Sequence, residues 1–146
     1  MIEETRTFVV SPPRATVVDY LKDFANAAAW DPGTVSCVQS SPGAVQVGTT
    51  WRNVSKFRGK ETDLTYRLEE VAEDRLVFVG ENDTVESTDT MTFAEAAQNG
   101  TEVTYHARIE FKGLAKLATP FLKSAFDKLG DLTQEQMTRV LNASGA

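Results

Sequence analysis

"TPFLKSAFDKLGDLTQEQMTRVLNA", residues 119–143, decides the fold. Phe121, Leu122, Ala125, Phe126, Leu129, Leu132, Met137, Val140 and Leu141 recur at about 3.6 residues, the period of an α-helix with one apolar stripe. Thr119 followed by Pro120 has the form of a cap and a first-turn proline, so the spacing predicts a helix from there, after a short turn carrying Leu114, Leu117 and Ala118. Continuous to Ala143, it would be roughly 37 Å long. Gly130 and the capping-box pattern Thr133-x-x-Gln136 mark where it would bend.

Upstream the period is two, not 3.6. "TVSCVQ", "GTTWRNVSKF", "ETDLTYRLEEV", "RLVFVGE", "ESTDTMTFAEA" and "TEVTYHARIEF" predict six strands between residues 34 and 112, separated by turn signals such as "SSPGA", "AEDR", "GEND" and "AQNG". None of these gaps holds a helix long enough for a parallel crossover, so the strands form an antiparallel meander. Before them, "TRTFVVS" predicts a first strand. "SPPRATVVDYLKDF" then predicts a helix capped by Ser11, with Pro12 and Pro13 in its first turn and Val17, Val18, Leu21 and Phe24 on its buried face. "ANAAAW" adds a second short helix that "DPG" stops. A curved antiparallel sheet needs something long and apolar on its concave face, and the last helix supplies it. Side chains pointing into the space between them determine whether it is packed or holds a ligand.

Composition narrows the function. The chain has 146 residues, 41% hydrophobic and 25% charged, the size of one domain. Its start, "MIEETRTFVV", has acids where an export signal needs bases and an apolar run too short to span a bilayer; a cytoplasmic protein without stable membrane insertion is expected. Cys37 is the single cysteine and reads as a small buried hydrophobe; no metal site is predicted. The net charge is −6, and between Lys60 and Glu95 eleven acids face three bases. Such a surface repels phosphate backbones, so nucleic acid is not an expected partner.

Alternation assigns the faces of each strand. In the last, Val103, Tyr105, Ala107, Ile109 and Phe111 share the inner face, which puts His106, the only histidine, outside. Thr62, Leu64, Tyr66 and Leu68 point inward on their strand; Trp51, Asn53, Ser55 and Phe57 share a face on theirs, as do Ser87, Asp89, Met91 and Phe93. These choices make a mostly apolar cavity with a few polar groups: Asn53, Ser55, Tyr66, Asp89 and Tyr105. A carboxylate there either finds partners, such as a tyrosine hydroxyl, or raises its pKa until it is neutral. Asp89 is therefore the candidate catalytic group, with an inner-face tyrosine the alternative for moving a proton. Trp30, ahead of Asp31-Pro32, is either a lid or a seal of the helix pair onto the sheet. The candidate ligand-binding set is Trp30, Trp51, Asn53, Ser55, Tyr66, Phe78, Asp89, Met91, Tyr105, Phe121, Leu122 and Ala125.

"VVSPPRATVVDYLKDFANAAAWDPG", "VQVGTTWR", "TYRLEEVAEDRLVFVGE", "DTMTFAEAAQNGTEVTY" and the closing helix, in this order and spacing, resemble the START-like helix-grip superfamily, also labelled SRPBCC or polyketide cyclase/dehydrase and lipid-transport proteins. The resemblance implies an α+β fold in one domain over residues 1–146: a seven-stranded curved antiparallel sheet, two short helices after strand 1, and a long C-terminal helix over the concave face. It also places the second short helix near the cavity entrance. Functions across the superfamily range from lipid binding to polyketide cyclisation and chaperone activation, so fold alone does not select one. Three readings stay open: a binder of a hydrophobic small molecule (lipid, polyketide or aromatic compound), a cyclase/dehydrase-type enzyme using the same cavity, and a protein-interaction or chaperone-regulating module. No cofactor is expected, and the chain is expected to be a monomer or homodimer.

Overall fold

The computed structural model describes residues 1–144. Seven strands, β1 (Ile2–Val10), β2 (Thr34–Gln39), β3 (Thr50–Phe57), β4 (Lys60–Ala72), β5 (Arg75–Glu81), β6 (Val85–Ala96) and β7 (Gly100–Phe111), form one antiparallel sheet in the order β1-β7-β6-β5-β4-β3-β2. Register shifts in β2 at Thr34/Ser36 and in β4 at Leu68/Glu70 are bulges, which increase local twist and bend a strand. Between β1 and β2 lie α1 (Arg14–Lys22), a 3-10 turn at Phe24–Asn26 and α2 (Ala27–Trp30). The sheet wraps α3 (Thr119–Ser144) as the alternation and the closing period predicted.

Two local expectations need correction. Ser11 does not cap α1: Pro13 holds the N-cap position in an extended conformation, and both prolines lie outside the helix. Ser11 instead donates its N–H and hydroxyl to Asn142 Oδ1 at 2.8 and 3.2 Å, tying the exit of β1 to the end of α3. Thr119 has helical dihedrals and is the first residue of α3 rather than its cap, because the chain enters through a 3-10 turn at Gly113–Ala118. As expected, α3 runs as one helix through Gly130. That glycine makes room for β1, since a Cβ there would lie 2.7 Å from Arg6 Nη2. Thr133 donates to Leu129 O within the helix, so it caps nothing.

The register sets inner-face residues in rows across the sheet. Phe8, Val103 and Phe93 form one row, and Arg6, Tyr105, Met91 and Leu76 the next. The following row is Glu4, Ala107, Asp89, Phe78 and Leu68, and the one after it Ile2, Ile109, Ser87, Gly80, Tyr66 and Trp51. Large side chains fill the first two rows, and Met137 and Leu141 of α3 are fully buried as well. Phe24 packs with Tyr66, Phe78, Trp30 and Trp51 at centroid distances of 4.4 to 6.1 Å, sealing the α1–α2 segment to the sheet. The N-terminal half of α3 is less buried: Leu122, Ala125, Phe126 and Leu129 are half-buried and Phe121 is 78% exposed.

Candidate functional site

The last two rows carry small residues at their centre, and an inner void follows from that. Ala107 and Ser87 leave the sheet floor low under the N-terminal half of α3, opening a cavity of about 410 Å³. Gly80 is required for its wall: a Cβ there would sit 2.5 to 2.7 Å from ring carbons of Tyr66, which lies against that glycine. Leu64, Ile109, Leu122 and Leu129 line the cavity, and Phe57, Phe111 and Phe126 form an apolar collar. In that collar Phe57 stacks on Phe126 at 4.6 Å and 13°, and Phe111 lies 6.4 Å from Phe126.

Polar groups gather on one part of the lining: Asp31, Ser55, Tyr66, Ser87, Asp89 and Tyr105. Asp89 is 4% exposed. Burial raises its pKa, the Asp31 charge adds to the rise, and the Tyr105 and Ser87 hydroxyls act the other way, leaving it at about 7. Asp89 therefore exchanges a proton near neutrality and can accept or donate a hydrogen bond to a ligand. Tyr66 and Tyr105 are pushed well above the ordinary tyrosine value by burial and then by Asp89, so both are neutral hydroxyl groups. Asp31 accepts from the Gly33 N–H at 3.0 Å and the Thr34 hydroxyl at 2.9 Å, bonds that only partly offset the upward push of burial.

A second carboxylate, Glu4, lines the cavity from β1. It is 6% exposed and accepts from Arg6 Nη1 at 3.1 Å and Lys123 Nζ at 3.0 Å. Arg6 continues to Asp131 Oδ1 and Asp127 O, and Lys123 to Asp127 Oδ1, so the ionic cluster clasps β1 to α3. Glu4 is thus compensated, whereas Asp89 has no cation among these partners.

Of the candidate ligand-binding set, Ser55, Tyr66, Asp89, Tyr105 and Leu122 line the cavity. Trp51, Phe78 and Met91 are wholly buried in the core beneath, and Trp51 Nε1 donates to Asp23. Asn53 is buried and bonded to Thr34 and Ser55, bracing the wall instead of forming it. Ala125 is half-buried off the lining and Phe121 turns to solvent, because the open half of α3 has a narrower buried stripe than its sequence period suggests. Trp30 is wholly buried, edge-on to Phe24 and Tyr105 at 5.9 Å each, which fits a seal and not a lid; among the described residues its Nε1 has no hydrogen-bond partner. His106 lies on the outer face, 3.7 Å from Glu3. Sequence reasoning missed Asp31 and Glu4. In sequence Asp31 signals only a helix stop, whereas Glu4 shares parity with Ile2, Phe8 and Val10 and is detectable as an acid on a buried face.

Comparison with known proteins bears on this architecture. No curated protein sequence matches the chain. A protein from Thermus thermophilus, TTHA0849, has a TM-score of 0.80 at 17% identity, each chain covered to 99%. A START superfamily protein from Mycobacterium smegmatis gives 0.74 at 15%, covering 98% of this chain and 96% of that one. The ZhuI aromatase/cyclase from a Streptomyces species gives 0.76 at 11%, covering 98% and 92%. At such identities these similarities establish the helix-grip fold and nothing finer. The model of the family described as polyketide cyclase/dehydrase and lipid transport matches residues 1–141, nearly the whole chain, and the chain belongs to that family.

Proposed function

We propose that this protein binds a hydrophobic small molecule in the cavity between the sheet and α3, with a polar group of the ligand against Asp89 and Tyr105. The observation that carries this is an open cavity of about 410 Å³ whose apolar collar leads to a polar cluster on one part of its wall. That volume is within the range typical of small-molecule sites, roughly 300–1,000 Å³, and the division of labour is the usual one: apolar burial supplies affinity, a few polar groups supply orientation. Native mass spectrometry after exposure to a mixed lipid and aromatic extract tests it. A retained species of defined mass supports the reading; repeated failure to retain any ligand overturns it.

Asp89 favours a second reading. A carboxyl with a pKa of about 7 beside neutral tyrosine hydroxyls suits proton transfer at an enolisable ketone held in a fixed conformation, the chemistry of a cyclase/dehydrase-type enzyme. Turnover of a poly-ketone that is unchanged in Asp89→Asn would remove that carboxyl from any mechanism.

A further inference from the structure

Charge along the cavity is uneven: two lysines, Lys56 and Lys60, line its other end, and of the two only Lys60 lies on the inner face of its strand. Lys60 opens β4 and shares the inner face with Thr62, Leu64 and Tyr66. It pairs in register with Phe57 of the collar. Among the described residues it makes no ion pair, although the stretch from Lys60 to Glu95 is the most acid-rich part of the chain. Arg58, in the turn before it, and Lys116, next to the lining residue Ala115, are exposed bases that likewise make no ion pair among the described residues. Of the nearby acids, Glu61, Glu86 and Glu110 alternate onto the outer face, Asp83 lies in the exposed β5–β6 turn, and Glu4 is neutralised by Arg6 and Lys123.

We infer that the ligand is an anionic amphiphile, with its carboxylate or other acidic group at the mouth beside Lys60, its apolar body in the phenylalanine collar, and any hydroxyl directed to Asp89 and Tyr105. This rests on the cavity-binding reading above and sets the orientation within it. The opposite orientation would place an anion against Asp31 and Asp89 in a poorly solvated space, where like charges repel most strongly. At the mouth the anion stays hydrated and meets an unpaired ammonium group. An exposed ion pair of this kind is weak, so Lys60 acts chiefly as a selector between charged and neutral ligands of the same shape.

Displacement of the neutral fluorophore N-phenylnaphthylamine by dodecanoate and by dodecanol tests the inference. The two competitors share a chain and differ in headgroup. Lys60→Gln is expected to weaken dodecanoate by about two- to fivefold, Lys60→Glu to weaken it further, and both to leave dodecanol within about 1.5-fold. Lys60→Arg should retain the preference, and added salt should erode it. Equal effects of Lys60→Gln on both competitors, or none on dodecanoate, overturn the anionic end while leaving the cavity reading intact. Failure of the unmodified protein to bind the fluorophore or either competitor overturns both.

Discussion

Replacing Asp89 by asparagine should stabilise the protein, and only above mildly acidic pH. The Asp89 carboxyl is lifted from 3.8 to about 7 in the folded state, chiefly by burial. At ~1.4 kcal/mol per pH decade, this difference amounts to on the order of 4 kcal/mol between the protonated and ionised forms of the folded protein. The sign follows from proton counting. Between the two pKa values the folded state holds a proton that the unfolded state has released, so stability is complete below about pH 4 and declines as pH rises through about 7. Asp31, also raised by burial, contributes in the same direction. Asp89→Asn removes the ionising group and keeps its shape, so the comparison isolates Asp89. Urea unfolding from pH 4.5 to 8.5 should show the variant gaining on the unmodified protein across that window, by a few kcal/mol at the alkaline end. Parallel pH profiles for the two proteins would refute the buried, uncompensated carboxylate.

Two other substitutions test the cavity's frame. Gly80→Ala places a Cβ within 2.7 Å of the Tyr66 ring, and overpacking of that kind should cost about 1–3 kcal/mol in chemical denaturation; an unchanged midpoint would mean the ring moves freely. Glu4→Gln neutralises the centre of the clasp, yet Arg6 keeps Asp131 and Lys123 keeps Asp127, so a loss of about 1–2 kcal/mol is expected rather than the larger cost of an isolated buried charge; equal or greater stability would contradict it.

Local pattern carried much of the fold. Strand alternation was sufficient to put Tyr66, Asp89 and Tyr105 on the inner face and His106 on the outer one, because the pleat sends neighbouring side chains to opposite sides. It was insufficient for depth. Phe78, Met91 and Asp89 all face inward, but only Asp89 lines the cavity; the difference lies in register and in what packs above each residue, which are tertiary facts. Phe121 shows the same limit on a helix, where the apolar period continues past the end of the buried stripe. The void itself depends on Ala107 and Ser87 on neighbouring strands and on Gly80, across from Ser87, which accommodates the Tyr66 ring of the wall, residues far apart in sequence and individually ordinary. Asp31 entered the site through the end of α2, where "DPG" signalled only a stop.

Ala107→Phe tests whether the cavity binds a ligand, since Ala107 lies on the cavity floor between Glu4 and Asp89. N-phenylnaphthylamine is titrated into the unmodified protein and into the variant, with urea unfolding confirming that both are folded. Saturable one-site binding to the unmodified protein and at least about a tenfold loss in the filled variant, the scale of ~1.4 kcal/mol, are expected. Equal binding by the two folded proteins would contradict binding in the cavity.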